Sequence, residues 1–183
     1  MNPKELKVED YSFLSCLAVA FVESPRANLK ELANAAGVSK ATLYRFCQTR
    51  EELFTLLIEH SIAMTNQAVN NAGLVDRPVP EALHALIDNH YSHRELTSFL
   101  IMYGKEAQEK MRLQQDWSRK LDEFFLRGQN EGFFRIDISS SELSEVFIAM
   151  VVGLIDSERQ GRIAKNKVKE IIKSAFLEGV RKV

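Results

Sequence analysis

The sequence predicts an all-α protein, and three observations lead to that prediction. Apolar residues recur at helical spacing, as Leu14, Leu17, Ala18 and Phe21 do at positions i, i+3, i+4 and i+7. All four prolines precede Glu81, so the second half of the chain lacks the residue that most strongly breaks helices. No segment shows the alternating pattern that is typical of a half-buried strand.

Two short helices are expected after the stripe at residues 14–21. The first of them begins after Asn28, whose side chain can cap it, and Glu31 stands at the capping-box position three residues later. Gly37 ends this helix, because glycine readily adopts the left-handed conformation that follows many helices. Ser39 can then cap a brief third helix that runs to Phe46.

A longer fourth helix is expected from about residue 50 to residue 69. Thr49 and Glu52 repeat the capping-box spacing at its start. The segment from Asn70 to Pro80 favours turns, because it combines asparagine, glycine, aspartate and two prolines. We therefore expect one domain in residues 1–50 and a second in residues 51–183, with the fourth helix connecting them.

Five further helices are expected after residue 80, each from apolar residues at helical spacing. Gly132 is expected to end the third of them, and Ser139 with Glu142 gives another capping-box pattern before the fourth. The five stripes cover residues 83–91, 99–103, 107–128, 143–155 and 168–180.

The charge balance excludes a general attraction to nucleic acids or acidic membranes. Lys and Arg number 24, Asp and Glu number 25, and the net charge is −1, so such binding needs a local patch. No segment has the pattern of a transmembrane helix or a signal peptide, so we expect a cytoplasmic protein without membrane contact. Cys16 and Cys47 form no C-x-x-C pattern, and neither a zinc ribbon nor a disulfide framework is predicted.

The second and third helices have the pattern of a helix-turn-helix. Only residues 37–39 separate them, and small Ala33 allows a close approach of the two backbones. Val38, Leu43 and Phe46 can form the small core that fixes the angle between the helices. In a helix-turn-helix the second helix enters the major groove of DNA, so we expect this segment to bind double-stranded DNA.

The exposed side of the third helix would present residues that can all donate hydrogen bonds, and the segment around it is cationic. From Arg26 to Arg50 there are five basic residues and one acid, Glu31, which leaves a balance of +4 in a chain whose net charge is −1. A basic module within an otherwise acidic protein attracts phosphates locally. The outward-facing residues are Ser39, Lys40, Thr42, Tyr44 and Arg45.

The run AGVSKATLYRFCQTREELFTLL, residues 36–57, is similar to the N-terminal signature of the TetR/AcrR family of bacterial transcriptional regulators. The likeness extends over about residues 11–60. It departs from the family pattern at Cys47, where phenylalanine is usual, and at Gln48. A small thiol still packs as an apolar group, although a redox role for Cys47 is an alternative.

The resemblance implies a homodimer of about nine helices per chain that binds a palindromic operator, most simply as a repressor. A small-molecule effector, held in the C-terminal domain, would release the DNA. Tyr44 matches a family tyrosine that contacts phosphate, Lys40 and Thr42 match recognition positions, and Arg50 matches a lysine that meets the DNA backbone. The full set of predicted DNA contacts is Asn28, Lys30, Ser39, Lys40, Thr42, Tyr44, Arg45 and Arg50.

The last two helices are the predicted dimer interface. The run VFIAMVVGLI, residues 146–155, is apolar around almost its whole circumference, which indicates burial against both its own domain and a partner. Gly153 and Gly179 could permit close helix approach. The predicted interface residues are Phe147, Met150, Val151, Leu154, Ile172 and Phe176.

An effector pocket is expected among the middle helices, where aromatic and soft side chains suit an apolar or aromatic ligand. The same side chains could equally form an ordinary core. The candidates are His60, Met64, His90, Phe99, Met102, Tyr103 and Trp117.

Two alternatives stay open at this point. His84, His90 and His93 could hold a metal in a helical metalloenzyme, although a di-iron bundle needs two E-x-x-H helices and the chain has one. The chain could also be a helix-turn-helix DNA binder that needs no ligand. No catalytic residue, metal site or cofactor is predicted.

Overall fold

The computed structural model describes residues 8–105 and 116–181, and in these residues every regular element is a helix. The predicted all-α class and the predicted number of about nine helices are confirmed for the described ranges. The first four helices follow the predicted order closely. They are α1 (Val8–Glu23), α2 (Leu29–Ala35), α3 (Lys40–Tyr44) and α4 (Arg50–Asn70).

The C-terminal half contains five helices. The predicted helix at residues 107–128 lies partly outside the described residues, and its described part ends at Asn130 before Gly132, which has φ +74°. The last helix contains one π-helical turn. The helices are α5 (Val79–Ser92), α6 (Arg94–Met102), α7 (Asp116–Asn130), α8 (Ser140–Arg159) and α9, which joins Lys167–Ile171, the π turn Ile172–Phe176 and Leu177–Val180.

The first hydrophobic core lies between α1, α2, α3, α4 as far as Met64, and α6. Phe21 of α1 is fully buried and meets Phe99 of α6 edge to face, with 5.6 Å between ring centroids. Leu96 and Leu100 of α6 are buried in the same cluster, although the sequence places them far from α1. The N-terminal core is therefore completed by a helix from the second half of the chain.

The second core fills the space between α5, α7, α8 and α9. Phenylalanine rings contact one another across it: the tilted rings of Phe125 and Phe134 have centroids 5.1 Å apart, and Phe147 of α8 meets Phe176 in the π turn of α9 edge to face at 5.5 Å. Val69, near the end of α4, belongs to this core, whereas Leu53 near its start belongs to the first. The fourth helix thus contributes to both cores.

Candidate functional site

The frame of the helix-turn-helix is set by local hydrogen bonds. The Asn28 side chain accepts from the Glu31 N–H at 3.0 Å, and the Glu31 carboxylate accepts from the Asn28 N–H at 2.8 Å, so the predicted capping box is present. Gly37 has φ +68°, a backbone region that favours glycine, and it ends α2 as predicted. Ser39 then caps α3 by accepting from the Thr42 N–H at 3.0 Å. Three sequence-local features therefore fix the motif: the capping box begins α2, and Gly37 and Ser39 form the turn into α3.

The outer surface of α3 carries the predicted polar side chains. Ser39, Lys40 and Arg45 are exposed, while Thr42 and Tyr44 are half-buried and retain accessible surface. The ammonium of Lys40 lies 5.2 Å from the centroid of the Tyr44 ring, which places a cation beside the phenol. On the opposite side of α3, Leu43 is completely buried. The helix therefore shows one cationic, hydrogen-bonding face to solvent.

Arg50 occupies a position that the sequence alone did not reveal. Its Nε donates to the carbonyl of Ala27 at 3.1 Å, and its Nη2 donates to the carbonyl of Pro25. Its guanidinium also lies over the ring of Phe21. Arg50 thereby ties the start of α4 to the turn between α1 and α2, and the predicted contact with a DNA phosphate stays a prediction.

Asn28 and Lys30, at the start of α2, are both exposed. The Asn28 side-chain oxygen and backbone N–H are already engaged in the capping box. Of its polar donors, only the side-chain nitrogen Nδ2 is left to meet a phosphate. Cys47 is 2% exposed. Its pKa is raised to about 11, mainly by burial and to a smaller degree by the nearby charge of Glu52. A raised pKa opposes thiolate formation, which counts against the redox alternative.

An apolar cavity of about 350 Å³ lies between α4, α5, α6, α7 and α8. Two residues predicted for an effector pocket, His90 and Trp117, line it. Sequence spacing does not identify most of the lining, because small polar and aliphatic residues on inward helix faces resemble ordinary core. The lining residues are Thr65, His90, Thr97, Leu100, Ile101, Gly104, Trp117, Phe147, Ile148, Val151 and Val152.

Five other pocket candidates do not line this cavity, so its geometry does not support them as ligand contacts there. His60, Met64 and Phe99 are buried, and Phe99 and Met64 belong to the first core. Tyr103 packs on Phe99 and on the rings around it, with 4.9 Å between the two centroids. Met102 is 45% exposed at the end of α6. Sequence spacing could not show which of the two cores the buried residues would join, nor that Met102 would be exposed.

His90 is one of the polar groups of the cavity wall. Its Nδ1 lies 2.9 Å from the carbonyl of Leu86, one helical turn earlier. Burial lowers the pKa of His90, and the neighbouring His93 lowers it further, against the opposing effect of the hydrogen bond to Leu86. The imidazole is therefore neutral at physiological pH and keeps a fixed tautomer.

The predicted dimer contacts require a correction. Phe147, Val151, Ile172 and Phe176 are at most 3% exposed and lie within the second core, where they cannot meet a second chain. Because the run 146–155 is apolar on every side, the sequence did not distinguish its inner face from its outer one. The outer apolar strip consists of Val146, Ala149, Met150, Gly153 and Leu154 on α8 with Ala175 and Gly179 on α9, all exposed or half-exposed.

The histidines of the metalloenzyme alternative are not assembled into a metal site. His84 is exposed on α5, whereas His90 faces the cavity. Within residues 8–105 and 116–181, no group of three or more His, Cys, Asp or Glu side chains is placed to share a metal ion. The geometry of these residues gives that alternative no support.

Comparison with known proteins decides the family. Solved structures share the fold: the ketosteroid regulator KstR2 of Mycobacterium tuberculosis has a TM-score of 0.72 at 14% identity, covering 98% of each chain. The TetR-like regulator LfrR of Mycobacterium smegmatis, solved with proflavine, has a TM-score of 0.59 at 18% identity, covering 97% of this chain and 100% of the other. The sequence matches no protein-family profile.

A relative of much higher identity is the HTH-type transcriptional regulator NfxB of Pseudomonas aeruginosa, which is 43% identical over 179 residues, or 93% of each chain. The chain belongs to the TetR family of transcriptional regulators. LfrR of Mycolicibacterium smegmatis is a more distant relative in sequence, 28% identical over 78 residues, which are 43% of this chain and 41% of LfrR. As a TetR-family regulator the chain is a DNA-binding protein. In the described part of the chain, no helix has the length and apolar character needed to cross a bilayer.

Proposed function

We propose that this TetR-family regulator is a cytoplasmic repressor in which residues 1–50 read DNA and residues 51–183 bind the effector and form the dimer. The observation that carries the DNA-reading role is the capped, cationic outer face of α3. Lys40 and Thr42 would contact base edges in the major groove. Ser39, Tyr44 and Arg45, with Asn28 and Lys30 at the start of α2, would hold phosphates and fix the register.

The proposed dimer uses the outer apolar strip of α8 and α9. A Cβ added at Gly153 or at Gly179 would meet no atom within 4 Å in the protomer, so both positions leave room for a partner helix. An exposed strip of this kind marks a contact surface in a soluble protein. Because a two-fold dimer presents two copies of α3, we expect the operator to be palindromic.

The proposed effector site is the cavity at the centre of α4 to α8. Its small polar surface and aromatic wall suit an apolar or aromatic ligand, and LfrR was solved with the aromatic ligand proflavine. Two helices connect this site to the DNA-reading domain: α4, which carries the lining residue Thr65, and α6. Thr97 and Ile101 of α6 line the cavity, while Leu96 and Phe99 of the same helix are buried in the first core.

This arrangement supports a coupling through α6. A ligand that displaces α6 would move its contacts with α1 and change the separation of the two recognition helices. Release follows only if the ligand binds the two conformations unequally. The proposed repressor therefore responds to an effector through a packed helix and needs no direct contact between ligand and DNA.

The decisive experiment is to select bound fragments from the source genome with the purified protein, and then to measure affinity for the enriched site by fluorescence anisotropy. We expect enrichment of a palindromic site and a loss of affinity when a cavity ligand is added. Enrichment without any ligand response in a thermal-shift screen would instead support the ligand-independent DNA binder. Absence of enrichment would contradict the repressor proposal.

A further inference from the structure

The cavity carries chemical information beyond its size. Its volume of about 350 Å³ is roughly twice that of an engineered apolar cavity that holds one benzene. The aliphatic and aromatic part of its wall comes from α6, α7 and α8 and includes Leu100, Ile101, Phe147 and Val151. This volume is large enough for a molecule of two or three fused rings.

Besides Trp117, the wall has three polar side chains: Thr65, Thr97 and His90. Each of them already donates a hydrogen bond to a backbone carbonyl. The hydroxyl of Thr65 donates to the carbonyl of Ser61 at 3.0 Å, and the hydroxyl of Thr97 donates to the carbonyl of His93 at 3.3 Å. The Thr65 and Thr97 oxygens keep lone pairs that can accept.

Like the two threonines, His90 already donates its hydrogen to a backbone carbonyl and keeps an acceptor atom. Because the carbonyl of Leu86 can only accept, Nδ1 of His90 carries the hydrogen that joins them at 2.9 Å. The ring is neutral because burial lowers its pKa, so Nε2 is left as an acceptor. Among the described lining side chains, three acceptors thus stand against one possible donor, the N–H of Trp117.

We propose that the effector is a fused aromatic molecule with an N–H or O–H group that donates a hydrogen bond to Nε2 of His90 or to the hydroxyl oxygens of Thr65 and Thr97. This inference rests on the proposed effector site and specifies its ligand class. A ligand that only accepts would leave these half-buried acceptors without partners when it displaces water from the cavity. Buried polar groups without partners are costly, so such a ligand binds more weakly.

The test uses three probes of almost the same shape. Carbazole carries an N–H, fluorene replaces it with a methylene group, and dibenzofuran replaces it with an acceptor oxygen. Equilibrium dialysis against the full-length protein without DNA measures the affinity for each. We expect carbazole to bind about tenfold more tightly than either of the others, as one satisfied buried hydrogen bond predicts.

Two variants assign the preference to the named acceptors. His90→Leu removes Nε2, and the double variant Thr65→Val/Thr97→Val removes both hydroxyls at nearly constant volume. We expect at least one of them to lower carbazole affinity several-fold relative to fluorene affinity. His84→Leu, on the exposed face of the same helix, is the matched control and keeps the parent ratio.

Equal binding of carbazole and dibenzofuran, binding of none of the three, or a carbazole preference that survives in both variants would overturn the proposal. Release of DNA is measured separately, by anisotropy on the selected operator. A carbazole preference without DNA release would leave the ligand class intact and contradict the effector role. DNA release by ligands that lack a donor would contradict the ligand class and leave the effector role intact.

Discussion

The guanidinium of Arg50, at the first residue of α4, lies 4.2 Å from the centroid of the Phe21 ring in α1. Phe21 is completely buried, and it also contacts Phe99 of α6. Arg50 therefore belongs to a stack that joins the recognition module to the helix that lines the cavity. Its two donated hydrogen bonds hold the turn that leads into α2.

The first prediction concerns Arg50→Lys. A lysine keeps the positive charge and loses the planar fork that reaches two carbonyls and stacks on a ring. We expect a lower melting temperature and weaker binding to all DNA sequences, with an unchanged slope of log affinity against log salt concentration. Thermal unfolding measures the melting temperature. Anisotropy at several salt concentrations measures the DNA affinity and its slope.

Arg50→Ala separates the two roles of this residue. If Arg50 acts only by positioning the turn, its removal leaves the salt slope at the parent value. A phosphate contact would instead reduce the magnitude of the slope by about one. Lys165→Ala, an exposed residue between α8 and α9, serves as the control for the loss of one positive charge.

The second prediction concerns the outer face of α3. Lys40→Ala should cost about 1–3 kcal/mol on the preferred operator and relax specificity at one base position, because a base contact carries sequence information. Tyr44→Phe removes only a hydroxyl and should weaken binding to all DNA sequences alike. Selection from a library of random duplexes, followed by sequencing, distinguishes the two effects. An unchanged preference in Lys40→Ala would contradict the placement of α3 in the groove.

The helix-turn-helix was predictable because its signals are local. The Asn28–Glu31 capping box, Gly37 and the Ser39 cap lie within twelve residues, and each acts on its own neighbours. The cap at Thr49 is also present, although Glu52 accepts from the Gln48 N–H instead of the Thr49 N–H. Short-range hydrogen bonds can thus be predicted from spacing alone.

The cavity and the interface were less predictable because they depend on contacts between distant helices. Periodicity could not show that Phe99 would join the first core, and it did not separate the two faces of α8, so Phe147 was assigned to the dimer interface although it lies on the cavity wall. Thr65 and Thr97 were missed because threonine on a helix usually carries no ligand signal. Only the assembled helices show that both residues border one space.

The third prediction concerns the dimer. Val146 is 45% exposed and Ala175 is exposed, so glutamate at either position can be accommodated in the protomer. In the proposed interface the same charge would be buried without a partner, which is strongly unfavourable. We expect Val146→Glu and Ala175→Glu to convert the dimer to a monomer of 20.9 kDa, measured by light scattering after gel filtration.

Ala164→Glu is the control for this prediction, because Ala164 is exposed between α8 and α9 and lies outside the proposed strip. It should remain dimeric. A parent protein that is already monomeric at micromolar concentration would contradict the interface, as would dimers in both strip variants. Loss of operator affinity should accompany dissociation, since a monomer reads only one half-site.

The fourth prediction concerns pH and His60, which is 4% exposed in α4. Burial, with a smaller effect of His93, lowers the pKa of His60 to about 4, below its ordinary value of 6.5. Between these two values the unfolded chain binds more protons than the folded one. The contribution of His60 to the free energy of unfolding is therefore complete above about pH 6.5 and is lost as the pH falls toward 4.

We expect urea unfolding to show a free energy of unfolding that declines between pH 6.5 and pH 4, and we expect the decline to be shallower in His60→Leu than in the parent. The part that His60 contributes is bounded by about 1.4 kcal/mol for each unit of its pKa shift. Burial also lowers the pKa values of His90 and His93, so the free energy of unfolding still declines to some extent in the variant. His84→Leu, on the exposed face of α5, is the matched control and should change the slope less. An identical slope in the parent and in His60→Leu would show that His60 is protonated equally in the folded and unfolded chains.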